Sequence, residues 1–506
     1  GDVLQYNIDY YRTQIFARQE QKQERGEGGG NCKPLAALLI TVKQPAPSAT
    51  DFPYLGMDES YALDIDPNVT PGAAAILIAN TTWGAVRGLE TFSQLFQMNR
   101  GGVTIRGGGA SKLTVVDAPR FPWRGLMMDP ARHYIPVADF NRTIDAMAQN
   151  KLNTLHLHLT DGESFSVNTE SWRNYTQLSI KGAFTASLSY TPDDLAAIVA
   201  HGRLRGVRVV PEFDLPAHCA SWAQGVPAII TDCPKYNPHP EWPRYYSPAD
   251  PSSEVLYDVI DTVLAELTSV FPDDYWHVGG DEPHYECWNG SAKVTAFKRK
   301  HGGMTNQELY AYFVNKYAAL VYQHGKRRIG WEEIFTIGGT PAVPAEDTST
   351  VVHVWTNNMF LKDVVAAGLH GIVSHKWYLN NGGDWTSYYA DDPLSYLPKN
   401  ATAASKKLVL GGEACMWASA FDMSSNMESA IWPNAAAMAE QLWSGAVQSA
   451  DEARTRLSQQ RCRMVRRGVR AAPIAEDYCG DSVYVRKSRS FAYPGDFPVD
   501  PETPGP

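Results

Sequence analysis

After Pro119 the chain settles into a regular alternation, and that alternation restricts its fold more than any other feature. Apolar, strand-like runs recur at Gly125–Asp129, Thr154–Leu159, Val207–Val210, Tyr275–Val278, Arg328–Trp331, Val351–Trp355, Gly371–Ser374 and Leu408–Gly412. Helical patterns, such as those over Pro192–Leu204, Val255–Phe271 and Glu308–Gln323, separate most of them. Eight strands alternating with helices are the arithmetic of an α/β protein built as a (β/α)8 TIM barrel. Residues 119–506 are therefore expected to form this barrel with a C-terminal extension. Residues 1–118 follow another pattern: a helix over the first 25 or so, short strands at Leu38–Val42, Ser60–Ile65 and Ala75–Ile78, and helical spacing over Trp83–Phe96. They read as a small α+β domain with an antiparallel sheet and no evident chemistry.

Active residues of such a barrel sit where its strands end. Here the ends carry Asp129 and Arg132, Asp161, Glu212 with Asp214 and His218, Asp281 and Glu282, Trp331 and Glu332, Trp355, Trp377 and Tyr378, and Glu413 and Trp417. Solvated loops would account for the charges. Four tryptophans and a tyrosine would be exposed apolar surface unless something stacks on them. The run Tyr275-Trp276-His277-Val278-Gly279-Gly280-Asp281-Glu282-Pro283 is the most telling. In extended geometry two adjacent acids point to opposite faces, and the two glycines let the backbone turn both into one cavity. Two carboxyls, one protonated and one ionised, are the equipment for cleaving a glycosidic bond. Alone, the pair also fits a solvated turn or a helix N-cap.

Composition narrows the partners. A net charge of −10 argues against nucleic acid and anionic membranes. No apolar run approaches the ~20 residues of a membrane span. The chain opens at Gly1 on polar sequence without a leader pattern, which is consistent with processing. Six sequons, at Asn68, Asn80, Asn141, Asn174, Asn289 and Asn400, point to a glycosylated protein of the secretory pathway, where disulfides are permitted. The seven cysteines include no C-x-x-C pair and suit no zinc knuckle.

Taken in order, these stretches resemble the β-N-acetylhexosaminidases of glycoside hydrolase family twenty, most closely the eukaryotic lysosomal or secreted type. The likeness spans nearly the whole chain. It runs through Trp83-Gly84-Ala85-Val86-Arg87-Gly88-Leu89-Glu90-Thr91, Asp129-x-x-Arg132-His133-Tyr134, His156-Leu157-His158-Leu159-x-Asp161 and Glu212-Phe213-Asp214-x-Pro216-x-His218. It continues through His277-x-Gly279-Gly280-Asp281-Glu282, Trp377-Tyr378-Leu379, Gly411-Gly412-Glu413-Ala414-Cys415-Met416-Trp417 and Ala439-Glu440-Gln441-Leu442-Trp443-Ser444. The resemblance implies exo-cleavage of terminal β-linked N-acetylglucosamine, and of N-acetylgalactosamine, from glycans, glycoconjugates or chitooligosaccharides. It implies no cofactor and no metal, a homodimer, and a lysosomal, vacuolar or secreted location.

The same resemblance assigns roles. Glu282 becomes the general acid/base, held neutral by a partly desolvated, aromatic-lined site. Asp281 orients the sugar's own 2-acetamido group, whose oxygen attacks C1 to give an oxazolinium intermediate with retention, so no second enzyme carboxylate is needed. Tyr378 donates to the acetamido oxygen, Arg132 holds ring hydroxyls, and Asp161 and His218 fix the acid. Trp331, Trp355 and Trp417 box the acetamido methyl. Cys233 with Cys287, and Cys462 with Cys479, match family disulfides; Cys32 matches a half-cystine whose partner lies upstream of Gly1; Cys219 and Cys415 are expected free.

The sequence departs from the family at Gly162, where a second Asp is usual, at Ser419, where many members carry a Glu contacting O4 and O6, and at Asn380, where some have Asp. Asn380 and Asp422 are then the candidates to face the outer hydroxyls. Two other classes of reading remain. His156, His158, His277, His353 and His375 superficially resemble the ligand layout of a metal-dependent barrel hydrolase. A glycan-binding relative that lost its chemistry would be expected to lose Asp281, Glu282 or Tyr378 first.

Overall fold

The computed structural model describes residues 2–24, 37–44, 51–66, 75–99, 102–105, 112–233, 246–337, 348–444, 449–475, 478–479 and 484–485. Asn68 and Cys32 lie outside them. In the small domain, strands β1 (Leu38–Val42), β2 (Tyr61–Ile65), β3 (Ala75–Ala79) and β6 (Leu113–Asp117) form one sheet in the order β1-β3-β2-β6. Its β2–β3 and β2–β6 pairings are antiparallel, while β1 runs parallel to β3. Alternation decides the faces: Tyr61, Leu63, Ile65, Ala75, Leu77 and Ala79 are buried, while Ile76 and Ile78 look outward.

The helix Thr82–Gln94 lies on the buried face, capped by Thr81, whose hydroxyl accepts from the Gly84 amide at 3.1 Å. A Cβ at Gly84 would stand 2.2 Å from the Ser60 carbonyl oxygen, so only glycine lets helix and sheet approach this closely. Helical spacing suggested that this helix runs on to Phe96. Instead Phe96 opens β4 (Phe96–Asn99), which hairpins with β5 (Gly102–Ile105).

The barrel strands are β7 (Trp123–Met128), β8 (Thr154–His158), β9 (Arg208–Glu212), β10 (Tyr275–His277), β11 (Arg327–Trp331), β12 (Val351–Val354), β13 (His370–Val373) and β14 (Val409–Met416). They close into a ring in chain order, with every neighbouring pair parallel and β14 returning to β7. Its interior is filled in layers. Trp123, Val210, Tyr275, Ile329, Val351, Ile372 and Leu410 form an apolar cluster, and Met127, Trp331 and Cys415 form another with Trp355, Tyr378 and Trp417 against it. Inward-facing His156, His158, Glu212, His277, His353 and Glu413 make a buried polar group.

Charge ties the two parts together. Glu59 of the small domain accepts from Arg87 at 2.9 Å and from Arg124 of β7 at 2.6 Å, with all three side chains buried. Removing one partner of such a group leaves an uncompensated buried charge. Disulfides join Cys233 to Cys287 and Cys462 to Cys479, while Cys219 and Cys415 are buried free thiols. Among the described residues no helix is long and apolar enough to cross a membrane. Of the described sequons, Asn174, Asn289 and Asn400 are exposed; Asn80 and Asn141 are half-buried, and Asn80 donates to Asp58 at 2.8 Å.

Candidate active site

All eight strand ends feed one mouth. The turn after β10 brings in the paired acids: Gly279 and Gly280 adopt φ of +70° and +112°, and Glu282 itself is at +49°. That left-handed region is costly for a residue with a side chain, and such strain clusters at functional sites. A Cβ on Gly279 would lie 1.7 Å from Asp214 Oδ1, so the glycine also permits the Asp214 carboxyl to lie against the turn, where it accepts from the Gly280 amide at 3.1 Å. Asp281 and Glu282 thereby face one imidazole: His218 Nε2 is 3.6 Å from Asp281 Oδ2 and 3.4 Å from Glu282 Oε2.

The other nitrogen of His218 faces Asp161 at 3.3 Å. Asp161 in turn pairs with His158 Nε2 at 3.0 Å and with Arg132. Arg132 uses its remaining nitrogens on Asp129 at 3.1 Å and Glu163 at 3.2 Å, and lies over the Trp417 ring at 5.1 Å. Burial resists charge on Asp161, but Arg132 and His218 outweigh it and hold the carboxyl well below the usual range.

The paired acids differ from expectation. Glu282 is 56% exposed rather than desolvated, and its hydrogen bond to His218 lowers its pKa below that of an ordinary glutamate. Asp281, whose side chain is 10% exposed, is pushed well up, first by burial and then by the Asp214 carboxylate. Asp214 itself is raised to about 7, chiefly by burial. Asp214 and Asp281 influence each other's ionisation, so the proton held here belongs to the pair.

Aromatics line the rest. Trp355 and Tyr378 stack nearly parallel, with ring centroids 6.3 Å apart and planes 6° apart, and Trp417 meets Tyr378 edge-on at 6.2 Å. Trp331, only 1% exposed, lies beneath them, stacked on His353 at 4.2 Å, and its indole N–H donates to Glu212 at 2.7 Å. Trp377, grouped by sequence with the mouth, is a core residue whose indole donates to the Tyr388 carbonyl. Asp422 caps its own turn: Ser424 and Ser425 donate to both its oxygens. Asn380 has its amide group on Asn381 at 3.2 Å and its buried carbonyl oxygen without a protein partner.

Two residues went unnoticed in the sequence. Glu163 supports Arg132, and Glu333 accepts the indole N–H of Trp355 at 3.0 Å. The Trp331-Glu332-Glu333 run after a strand was the only available signal.

Beneath the mouth His156, His158 and His277 face carboxylates, while neither ring nitrogen of buried His353 has a hydrogen-bond partner among the described residues. His156 faces Glu413 at 2.7 Å and Glu212 at 3.0 Å, and His158 faces Glu212 at 2.5 Å and Asp161. His156, His277 and His353 lie close enough together to share an ion. Burial opposes a charge on His156, yet Glu413 and Glu212 raise it to about 9, whereas burial pushes His277 and His353 down.

These buried groups set how stability depends on pH. Asp214, Glu333 and His156 have folded-state values near 7, 8 and 9, against ordinary values of 3.8, 4.5 and 6.5. A raised pKa contributes stability that is complete below the ordinary value and lost as pH climbs through the folded one. Asp161 and Glu212, held low, withdraw support only in strong acid. His277 and His353, pushed down by burial, add stability that is complete only above the ordinary 6.5, so the melting temperature is expected to be highest between about pH 5 and 6.5 and to fall by at least several degrees by pH 9. Differential scanning fluorimetry across that range checks it, and a flat or rising trend contradicts it.

A closed (β/α)8 barrel with paired carboxyls and stacked aromatics at its C-terminal rim has the form of a barrel glycosidase. The glycosyl hydrolase family 20 catalytic-domain model matches residues 121–446, and a beta-acetyl hexosaminidase-like model matches residues 1–95. The chain belongs to family 20 and is a glycoside hydrolase. The beta-hexosaminidase subunit beta of Felis catus is 37% identical over 486 residues, covering 94% of this chain and 86% of the relative. The subunit alpha of Rattus norvegicus is 37% identical over 458 residues, covering 88% and 82%. The chitobiase of Flavobacterium johnsoniae superposes with a TM-score of 0.74 at 29% identity, covering 90% of this chain and 68% of that one.

Proposed function

We propose that this enzyme is an exo-acting β-N-acetylhexosaminidase that removes terminal β-linked N-acetylglucosamine, and more slowly N-acetylgalactosamine, with retention and by substrate assistance. The observation that carries the reading is the convergence of Asp281 and Glu282 on His218 Nε2 beside the parallel Trp355 and Tyr378 rings. An acetamido group lying in that aromatic corner presents its N–H to Asp281 and its oxygen to the Tyr378 hydroxyl. The oxygen attacks C1 as the glycosidic C1–O bond breaks and Glu282 gives its proton to the leaving oxygen. Positive charge on the ring nitrogen of the oxazolinium favours ionised Asp281, and Asp214 is the adjacent group able to keep the pair's proton. Water then adds to C1, Glu282 takes its proton, and the acetamide re-forms.

A bound sugar would strip water from exposed Glu282 and raise its pKa, bringing it nearer the neutral form that the first step needs. Arg132 donates to ring hydroxyls from a position fixed by Asp129, Asp161 and Glu163. The division at residue 118, secretory-pathway residence, a homodimeric state and glycosylation at exposed Asn174, Asn289 and Asn400 belong to the same reading. Glycopeptide mass spectrometry and sedimentation test the last two. For the chemistry, hydrolysis of p-nitrophenyl β-N-acetylglucosaminide, β-N-acetylgalactosaminide and β-glucoside is compared with and without EDTA. The expected order is first fastest, second measurable, third negligible because it has no internal nucleophile, with the chelator without effect. A glucoside turned over as fast as the acetamido sugar, or loss of activity in EDTA, rejects the reading.

A further inference from the structure

Trp355 is held from two sides by consecutive acids that touch no reacting atom in the mechanism above. Glu332 accepts the Trp355 amide at 2.9 Å, the Thr356 amide at 3.1 Å and the Thr356 hydroxyl. Glu333 accepts the Trp355 indole N–H at 3.0 Å. Among the described residues no lysine or arginine forms an ion pair with either acid, so their side-chain hydrogen bonds go to this one tryptophan and its neighbour. One acid fixes the backbone, and the other fixes the rotation of the indole about its side-chain bonds.

That rotation matters because the indole forms one wall of the aromatic corner. Trp355, Tyr378 and Trp417 pack together over Met127, Trp331 and Cys415, with the Tyr378 ring 6° from parallel to the indole, so the rotation of the indole sets the size of the corner they enclose. A turned indole would widen it. Burial, and then the neighbouring Asp281, raise Glu333 to about 8, so below that pH it adds no second negative charge beside the acid that must ionise.

We propose that Glu333 is a positioning residue that locks the Trp355 wall through the indole N–H and thereby limits the 2-acylamido group of the substrate to acetyl. The inference rests on the acetamido reading above. Such a role predicts a change in selectivity between acyl groups, which a merely structural residue would not produce.

The test measures kcat/KM for p-nitrophenyl 2-acetamido and 2-propionamido β-glucosides with the wild type, Glu333→Gln and Glu333→Met. One methylene in a closed pocket is commonly discriminated by ~10–200-fold. Glu333→Met, which has similar length and no acceptor, is expected to cut the acetyl-to-propionyl preference at least about fivefold. Glu333→Gln keeps an oxygen for the indole and should hold the preference within about twofold of wild type. A folded Met variant with the wild-type preference, or a Gln variant that loses it equally, overturns the assignment. Should Glu333→Met fail to fold, Glu333→Leu, which also lacks an acceptor, takes its place: a relaxed preference supports the lock, and an unchanged one overturns it. A wild type that cleaves neither acylamido sugar defeats the acetamido reading itself, whereas one that cleaves both while the variants show no shift defeats this inference alone.

Discussion

Asp281→Asn is expected to lower kcat on acetamido substrates by roughly 10²–10³, the usual loss when a group aimed at transition-state charge is removed. The amide keeps the shape of the side chain but carries no charge to meet the positive nitrogen of the ring-closing acetamide. It can also turn its NH2 toward that nitrogen, where a donor is wanted least. KM should change little, since the interaction grows only as the intermediate forms. Pre-steady-state kinetics with p-nitrophenyl β-N-acetylglucosaminide would show the loss in the first, bond-breaking step. An Asp281→Asn enzyme within about threefold of wild type would mean that this carboxyl does not serve the acetamido group, and substrate assistance would have to be abandoned.

Glu282→Gln should produce a comparable or larger defect, ~10²–10⁴-fold, whose size depends on the leaving group. With a poor leaving group, such as the next sugar of a chitooligosaccharide, both bond cleavage and water attack lose their proton carrier. With 2,4-dinitrophenolate, which departs without a proton, the first step should approach the wild-type rate and leave the second limiting. The pH profile should lose the limb due to Glu282. A uniform loss across leaving groups would assign the acid to another carboxyl, and Glu333 would be the first to examine.

The barrel could be read almost entirely from sequence because eight apolar runs separated by helical spacing leave few alternatives, and strand ends mark where chemistry must gather. What periodicity could not convey was depth. Trp331 ends a strand and Trp355 and Trp377 follow one, but Trp377 turns into the core, Trp331 drops beneath the mouth, and of the three only Trp355 forms its wall. The β6 strand, Leu113–Asp117, escaped because its partner, Tyr61–Ile65, lies some fifty residues earlier in the chain and long-range pairing leaves no local trace. The turn that Asp422 caps with Ser424 and Ser425 was likewise not marked by periodicity. The protonation of the paired acids was also beyond reach, because it depends on Asp214, which contacts the turn only through the space that Gly279 leaves.

The Asp129 carboxylate of the first barrel strand accepts from the Ala418 amide just past the last, 289 residues away, at 3.0 Å. During synthesis the leading strand must therefore wait with one edge unsatisfied until nearly the whole polypeptide has emerged. Nascent chains arrested before β14 should bind folding helpers, resist no protease and cleave no sugar, and competence should arrive in a single late step rather than strand by strand.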